Sequence, residues 1–169
     1  MSSEPISAPT GTVEVKEFCR ACGHFATGVA VVTVVDRSGR PHGMTVNSFT
    51  SVSLDPLLFL VCIDHRAGMR TVVDVHVPIA VNILSEEQRA LSVRFARTYD
   101  DRFDGQLWSA GKNGAPIFPG VLASLEGSVR EMIVAGDHTI LLTEVNAVSF
   151  REGRPLMFFN SRYVSLGES

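Results

Sequence analysis

Three cysteines and five histidines have the widest chemical range in this chain, and their spacing excludes most of it. Cys19 and Cys22 form a C-x-x-C pair. A zinc site needs two further ligands at close spacing, and none stands nearby. A redox dithiol opens a helix that follows a strand, whereas this pair falls inside a helical pattern. The two thiols therefore read as small buried hydrophobes. His24, His42, His65, His76 and His138 form no H-E-x-x-H or comparable ligand pair, so no metal is expected. Cys62 with His138 leaves a cysteine hydrolase to weigh. Cys62 sits in an apolar run with no electropositive helix N-terminus in view, which leaves its thiol poorly activated.

The familiar nucleotide fingerprints are also missing. No G-x-G-x-x-G follows a strand. Gly105 precedes Gly111-Lys112 by one residue too many for a P-loop, and Asn113 stands where Ser or Thr belongs. No G-x-S-x-G elbow is present. What remains is a set of polar side chains whose residue types leave two readings open. Thr45, Asn47 and Ser48 are either the outward face of a half-exposed strand or a hydrogen-bonding edge. His138 is either a solvent-facing turn residue or a ligand, and Arg94 either a solvated helix charge or an anion partner.

The elements that must hold these residues are mostly strands. Val13, Phe18, Cys22 and Phe25, with charges between, predict an amphipathic helix ending near Gly23. Gly28–Val35 is β-branched and continuously apolar, a buried strand. Asp36-Arg-Ser-Gly39 is a turn, and Gly43–Phe49 returns as the second arm of a hairpin. Asp55-Pro56 breaks the chain before a strongly apolar strand, Leu57–Ile63. Met69–His76 predicts a short helix, Ile79–Leu84 a strand, and Glu86–Ala96 a helix. Tyr99–Gly120 is rich in Gly, Asp and Pro and reads as a long loop, of the kind that is usually functional or mobile. Its Trp108 either packs on the core or covers a site. Two strands, about Val121–Val134 and His138–Phe150, follow, joined at Ala135-Gly136-Asp137. Leu156–Phe159 closes the chain. Many strands joined by turns favour an antiparallel barrel with outer helices over a doubly wound sheet.

The chain of 169 residues points to one domain, residues 13–169, behind a disordered N-terminal tail of residues 1–12. A net charge of −3 gives no reason to expect nucleic acid or an anionic membrane as partner. No apolar stretch is long enough to span a bilayer, and the N-terminus lacks a secretory pattern, so a cytoplasmic location is expected.

Six segments in order add a resemblance. Phe25-Ala-Thr-Gly-Val-Ala-Val-Val-Thr33 and His42-Gly-Met-Thr-Val-Asn-Ser-Phe-Thr-Ser-Val-Ser-Leu-Asp-Pro56 come first, then Ala80-Val-Asn-Ile-Leu84 and Leu91-Ser-Val-Arg-Phe-Ala96. Ala135-Gly-Asp-His138 and Leu156-Met-Phe-Phe159 with Tyr163 complete them. Together they resemble the short-chain flavin reductases, the reductase components of two-component flavin-dependent monooxygenases. The resemblance runs from about Phe18 to Tyr163. It implies a mainly β (α+β) fold, an antiparallel Greek-key split β-barrel of the FMN-binding type with a few flanking helices, assembled as a homodimer.

It also implies residue roles. Thr45, Val46, Asn47 and Ser48 would lie against the flavin ring. Cys62, Ile63, Asp64, Gly68 and Met69 would line its ribityl and phosphate end, with Arg94, Phe95 and Ala96 as a further flavin-contacting segment. His138 would touch the nicotinamide, as the residue nearest to catalysis, and Phe159, Asn160, Ser161, Arg162 and Tyr163 would enclose the same nucleotide. The implied activity is hydride transfer from NADH, in preference to NADPH, to FMN or FAD, supplying reduced flavin to a partner monooxygenase. A non-enzymatic flavin-binding module on the same barrel is the alternative. The chain departs from the family at His65-Arg-Ala-Gly-Met-Arg-Thr71, where phosphate-binding Ser or Thr residues are common. Arg66, Arg70 or backbone N–H groups would have to serve there instead.

Overall fold

The computed structural model describes residues 12–98 and 101–167. The expected N-terminal tail falls almost wholly outside them. The described chain is mostly antiparallel β, as the sequence predicts. In order it runs α1 (Val15–Gly23), β1 (Thr27–Gly28), β2 (Ala30–Val35), β3 (Pro41–Val46), β4 (Thr50–Leu54), β5 (Leu57–Asp64) and β6 (Pro78–Ile83). There follow α2 (Arg89–Phe95), β7 (Ser109–Ala110), β8 (Pro116–Ile117), β9 (Ala123–Ala135), β10 (His138–Phe150), β11 (Met157–Phe159) and β12 (Arg162–Val164). Among the described residues no helix is long and apolar enough to cross a membrane.

Seven strands form one sheet in the order β3-β2-β6-β9-β10-β5-β4, and every neighbouring pair is antiparallel. The continuously apolar β2 earns its pattern by being central, with Ala30 to Val34 all buried between β3 and β6. The turn into β3 is held by Asp36, whose carboxylate accepts the backbone N–H groups of Ser38 (2.8 Å) and Arg40 (3.0 Å) and the His42 ring nitrogen (2.8 Å). The Ser38 hydroxyl, which donates to the same carboxylate at 2.6 Å, does most, with His42 and the backbone donors, to hold the Asp36 carboxyl well below the usual carboxylate range. Gly39 closes the turn at φ 85°, which a side chain would resist.

Two polar residues inside the core tie the long loop down. Thr33, fully buried, donates its hydroxyl to the Pro116 carbonyl at 2.6 Å. Asn82, equally buried, donates to the carbonyls of Val31 and Pro116 and accepts the Phe118 N–H at 3.0 Å. Asn113 adds bonds to the carbonyls of Ile79 and Gly127, while the buried Glu126 accepts its backbone N–H at 2.9 Å. The loop is therefore fastened to β6 and β9, and its aromatic residues pack as one group. Trp108 sits edge-on to Phe103, which stacks on Phe118 and meets Phe95. Trp108 itself is exposed and lies over this aromatic group from the solvent side.

Three expectations need correction. Residues 69–76 form only a 3-10 turn at Gly68–Thr71. The β-branched Thr71, Val72, Val73 and Val75 disfavour helix, and Met69 and Val73 are drawn into the core. The sequence pattern gives no strand at β4, an exposed edge with little apolar periodicity. Cys19 and Cys22 are exposed, not buried. None of the α1 residues is buried, and the helix is anchored at its C-terminal end, where the Gly23 carbonyl accepts the Asn160 N–H at 2.8 Å.

The β9–β10 ladder shifts register between Val145 and Ala147, opposite Gly127 and Glu126. A Cβ on Gly127 would collide with the backbone carbonyl of Glu144 and the Thr143 methyl. Gly127→Ala is therefore expected to destabilise the fold by about 2 kcal/mol or more, because backbone must move to admit the methyl. A denaturant midpoint unchanged from the parent chain would show the ladder to be more pliant than this.

Candidate functional site

The site begins with one buried serine. Ser92 lies on the inner face of α2 and is fully buried. Its carbonyl accepts the Thr45 hydroxyl at 2.6 Å, and its own Oγ meets the Tyr163 hydroxyl at 2.8 Å. One residue therefore joins α2 to β3 and to the C-terminal hairpin β11–β12. Arg89, one helical turn earlier, lies over the Tyr163 ring at 5.1 Å from its centroid. Phe158 meets the same ring edge-on, with centroids 5.4 Å apart.

Between these elements lies a cavity of about 180 Å³, lined by Val29, Thr45, Val46, Asn47, Ala96, Phe158 and Tyr163. Five of those seven are residues that the sequence had put at the site. A second cavity of about 280 Å³ shares Val29, Val46 and Asn47 and extends to Thr27 and Phe25. The Thr27 hydroxyl is buried there without a hydrogen-bond partner among the described residues, while the Asn47 side chain is exposed at the cavity mouth. A buried unpartnered hydroxyl beside apolar walls fits a planar heteroaromatic ring with a polar rim, which is the chemistry of a flavin.

A polar cluster stands at the far end of β5. Asp64 and His138 are direct cross-strand partners on β5 and β10. The His138 Nδ1 is 2.8 Å from Asp137 Oδ1, and that bond holds the Asp137 carboxyl below its ordinary value. Arg66 grips Asp64 through Nη2 at 2.7 Å and Nε at 3.1 Å, which holds the Asp64 carboxyl well below the usual range and the guanidinium above its own. The His65 N–H donates to the Asp137 carbonyl at 3.0 Å, fixing the β9–β10 tip against the end of β5. Cys62, two residues from Asp64, is clasped by Ser48. The Cys62 N–H donates to Ser48 Oγ at 3.0 Å, and the hydroxyl reaches back to the Cys62 carbonyl at 3.3 Å. Ser48 continues the Thr45–Asn47 edge, so it couples the cavity to the His138 cluster.

The other sequence-proposed residues divide by burial. Ile63, Met69 and Phe95 are in the core and could meet a ligand only through backbone. Gly68 is exposed and, with Thr71, His42 and Arg102, borders a cleft of about 200 Å³. Arg94 is turned to backbone, donating to the carbonyls of Arg102, Asp101 and Asp104. Asn160 and Ser161 form the left-handed turn of β11–β12, and Phe159 packs against His24, with Arg162 exposed beside it. The His138 ring bonds Asp137, and no hydrogen bond joins it to Cys62, so the two do not form a nucleophile–base pair. Sequence reasoning missed Thr27, Val29, Ser92 and Phe158. A serine in the apolar stripe of α2, three residues before Phe95, was the one available signal.

Removing the Tyr163 hydroxyl leaves the buried Ser92 Oγ without its partner. Tyr163→Phe is expected to cost about 1–3 kcal/mol in unfolding free energy, and adding Ser92→Ala should recover part of that loss. Strictly additive losses in a double-mutant cycle would deny the coupling.

Comparison with known proteins places the chain in a family. Residues 22–167 match the flavin reductase like domain. An FMN reductase (NADH) of Agrobacterium fabrum is 40% identical over 158 residues, covering 94% of this chain and 89% of its own length. The reductase subunit of a stachydrine N-demethylase from Rhizobium meliloti is 46% identical over 127 residues, covering 75% of this chain. The chain spans only 55% of that relative and 41% of a second one from the same organism. The structure of the NADH:FAD oxidoreductase of Streptomyces globisporus superimposes with a TM-score of 0.84 at 36% identity, covering 97% of this chain and 96% of its own. That protein has also been solved in complex with NAD and FAD fragments. Sequence and topology converge, and the chain belongs to the flavin reductase like family.

Proposed function

We propose that this chain oxidises NADH, in preference to NADPH, and passes the hydride to FMN or FAD, delivering reduced flavin to a flavin-dependent monooxygenase. The observation that carries the reading is the cavity in which Thr45, Val46, Asn47, Ala96 and Tyr163 converge, with the unpartnered Thr27 hydroxyl beside it. The bound cofactors supply hydride donor and acceptor, so no side-chain nucleophile or metal is needed. The residues of this chain position and enclose. Thr45, Asn47 and Thr27 offer donors and acceptors to a ring rim, with Val29, Phe158 and Tyr163 as apolar walls. Ser92 keeps Thr45 and Tyr163 in register. Asp137 holds His138 through Nδ1, which leaves Nε2 to hydrogen-bond the dihydronicotinamide or its carboxamide. Holding two rings face to face at reacting distance is the positioning contribution the protein makes to such a transfer.

A second copy of the chain completes the reading. Leu60, Cys62, Ile140 and Leu142 share the outer face of the β5–β10 ladder and are only half-buried, and Ile133 beside them is 41% exposed. An apolar sheet face of this kind supports a homodimer. A flavin-binding module without activity would need the cavity but not the Asp137–His138 pair.

Purified protein should oxidise NADH only when FMN or FAD is added, with a rate that saturates in flavin; absorbance loss follows it directly. Bound flavin with no NADH or NADPH consumption would leave the binding module. His138→Ala should raise the KM for NADH about tenfold, the loss of one good hydrogen bond, while changing flavin affinity far less. An equal loss of flavin binding would remove His138 from the nicotinamide side.

A further inference from the structure

A cleft of about 880 Å³ that the ring site does not use lies where the β2–β3 turn, residues 70–77 and the β9–β10 hairpin meet. Its volume falls in the range of small-molecule pockets, about 300–1,000 Å³. Half of its lining side chains are valines or methionine, with Val72, Val73, Met132 and Val134 among them. Two acids and two arginines complete the lining with Ser38, Thr71 and Thr139. Asp36 is already engaged by Ser38 and His42, and the exposed Asp74 accepts the Val75 N–H at 2.8 Å. Arg37 is exposed, whereas Arg70 is half-buried. Arg70 is held by one bond, from Nε to the Thr139 hydroxyl at 3.2 Å. Thr139 is fully buried and also meets the His65 ring nitrogen at 3.0 Å, so the anchor is fixed. No carboxylate pairs with Arg70, and its two Nη groups make no hydrogen bond among the described residues. Arg70 lines this cleft and not the neighbouring one of about 200 Å³, which Gly68, Met69 and Thr71 border.

We propose that the cleft binds a small carboxylic acid with an apolar body, its carboxylate on the Arg70 Nη groups and its body on the valine floor. A neutral hydroxyl orients the guanidinium without neutralising it, and the two free Nη groups offer the planar fork that suits a carboxylate. The floor selects against an inorganic anion, which would gain nothing from apolar surface, and favours a ligand that buries it. Asp36 does not compete for Arg70, because Ser38 and His42 occupy its oxygens. The inference stands apart from the reductase reading, since none of the residues it uses lines the ring cavity.

Calorimetry on the purified chain near neutral pH tests this. The probes are benzoate and octanoate, with benzyl alcohol as an uncharged counterpart and inorganic phosphate as an anion without an apolar body. At least one carboxylate should bind at a single site, and benzyl alcohol and phosphate about tenfold more weakly or not at all. Arg70→Gln should weaken the carboxylate about tenfold or more, the loss of a charged hydrogen bond. Val134→Glu should weaken it similarly, by setting a second carboxylate at a floor position that is 68% exposed. Circular dichroism guards both variants against misfolding, and the comparison of benzoate with benzyl alcohol needs no variant. Absence of binding by both carboxylates overturns the site. Equal affinity for benzyl alcohol or phosphate, or unchanged affinity in Arg70→Gln, overturns it as well. Saturating FMN or FAD should leave carboxylate binding unchanged, and displacement by flavin would assign Arg70 to the flavin and overturn the proposal. A chain that binds the carboxylate but never oxidises NADH would sink the reductase reading alone.

Discussion

A seven-stranded sheet whose edge strands are joined by only three residues cannot lie flat. Strands β3 and β4 sit at opposite edges of the sheet, yet only Asn47, Ser48 and Phe49 connect them. Laid flat, the edges would stand roughly 29 Å apart, while the connection reaches about 14 Å at full extension. The sheet must therefore curl until its two ends approach, leaving a split barrel that the ladder bonds do not close. Ser48 makes the approach definite, because its hydroxyl bonds both backbone groups of Cys62 on β5. Almost every feature of the site follows from this curl. It exposes the Thr45–Asn47 edge, brings that edge near β5, and leaves an open seam between strand and helix.

The seam is shaped from outside by α2 and the C-terminal hairpin, and Ser92 is where the three parts meet. A hydroxyl buried at such a junction is costly unless satisfied, and Tyr163 satisfies it. The same tyrosine then forms a wall of the cavity between β3 and α2 on one side and carries Arg89 on the other. Buried polar bonds elsewhere serve a similar purpose. Thr33 and Asn82 hold the loop after α2 by its carbonyl and N–H groups, which keeps Phe103 and Phe118 packed against Phe95. The helix that borders the site is thus braced from behind.

Much of the strand order in sequence was readable because the strongest segments are apolar for a local reason. The continuous run in β2, the run in β5 and the turn residues Asp36–Gly39 announce themselves through residue type alone. Residues 69–76 misled because apolar spacing suggested a helix, while the valines were serving as separate anchors into the barrel. Cys19 and Cys22 misled for the opposite reason. An amphipathic pattern implies a partner surface, but the covering surface is not part of this chain's own described fold. Ser92 and Thr27 carry no motif, and their importance is a matter of which distant groups arrive beside them.

The sequence by itself determined the class of fold, the run of strands and turns, and, through ordered short segments, the family and the edge at Thr45–Ser48. Those properties depend on local residue type and on period, which a chain displays before it folds. Only the tertiary structure decided which of the site residues share a cavity, that Ser48 clasps β5, and that Arg94 turns to backbone. It alone decided that Arg70 turns to Thr139 and lines the cleft beside it. Those facts depend on closing contacts between residues tens of positions apart, and the curl forced by a three-residue connection brings them together.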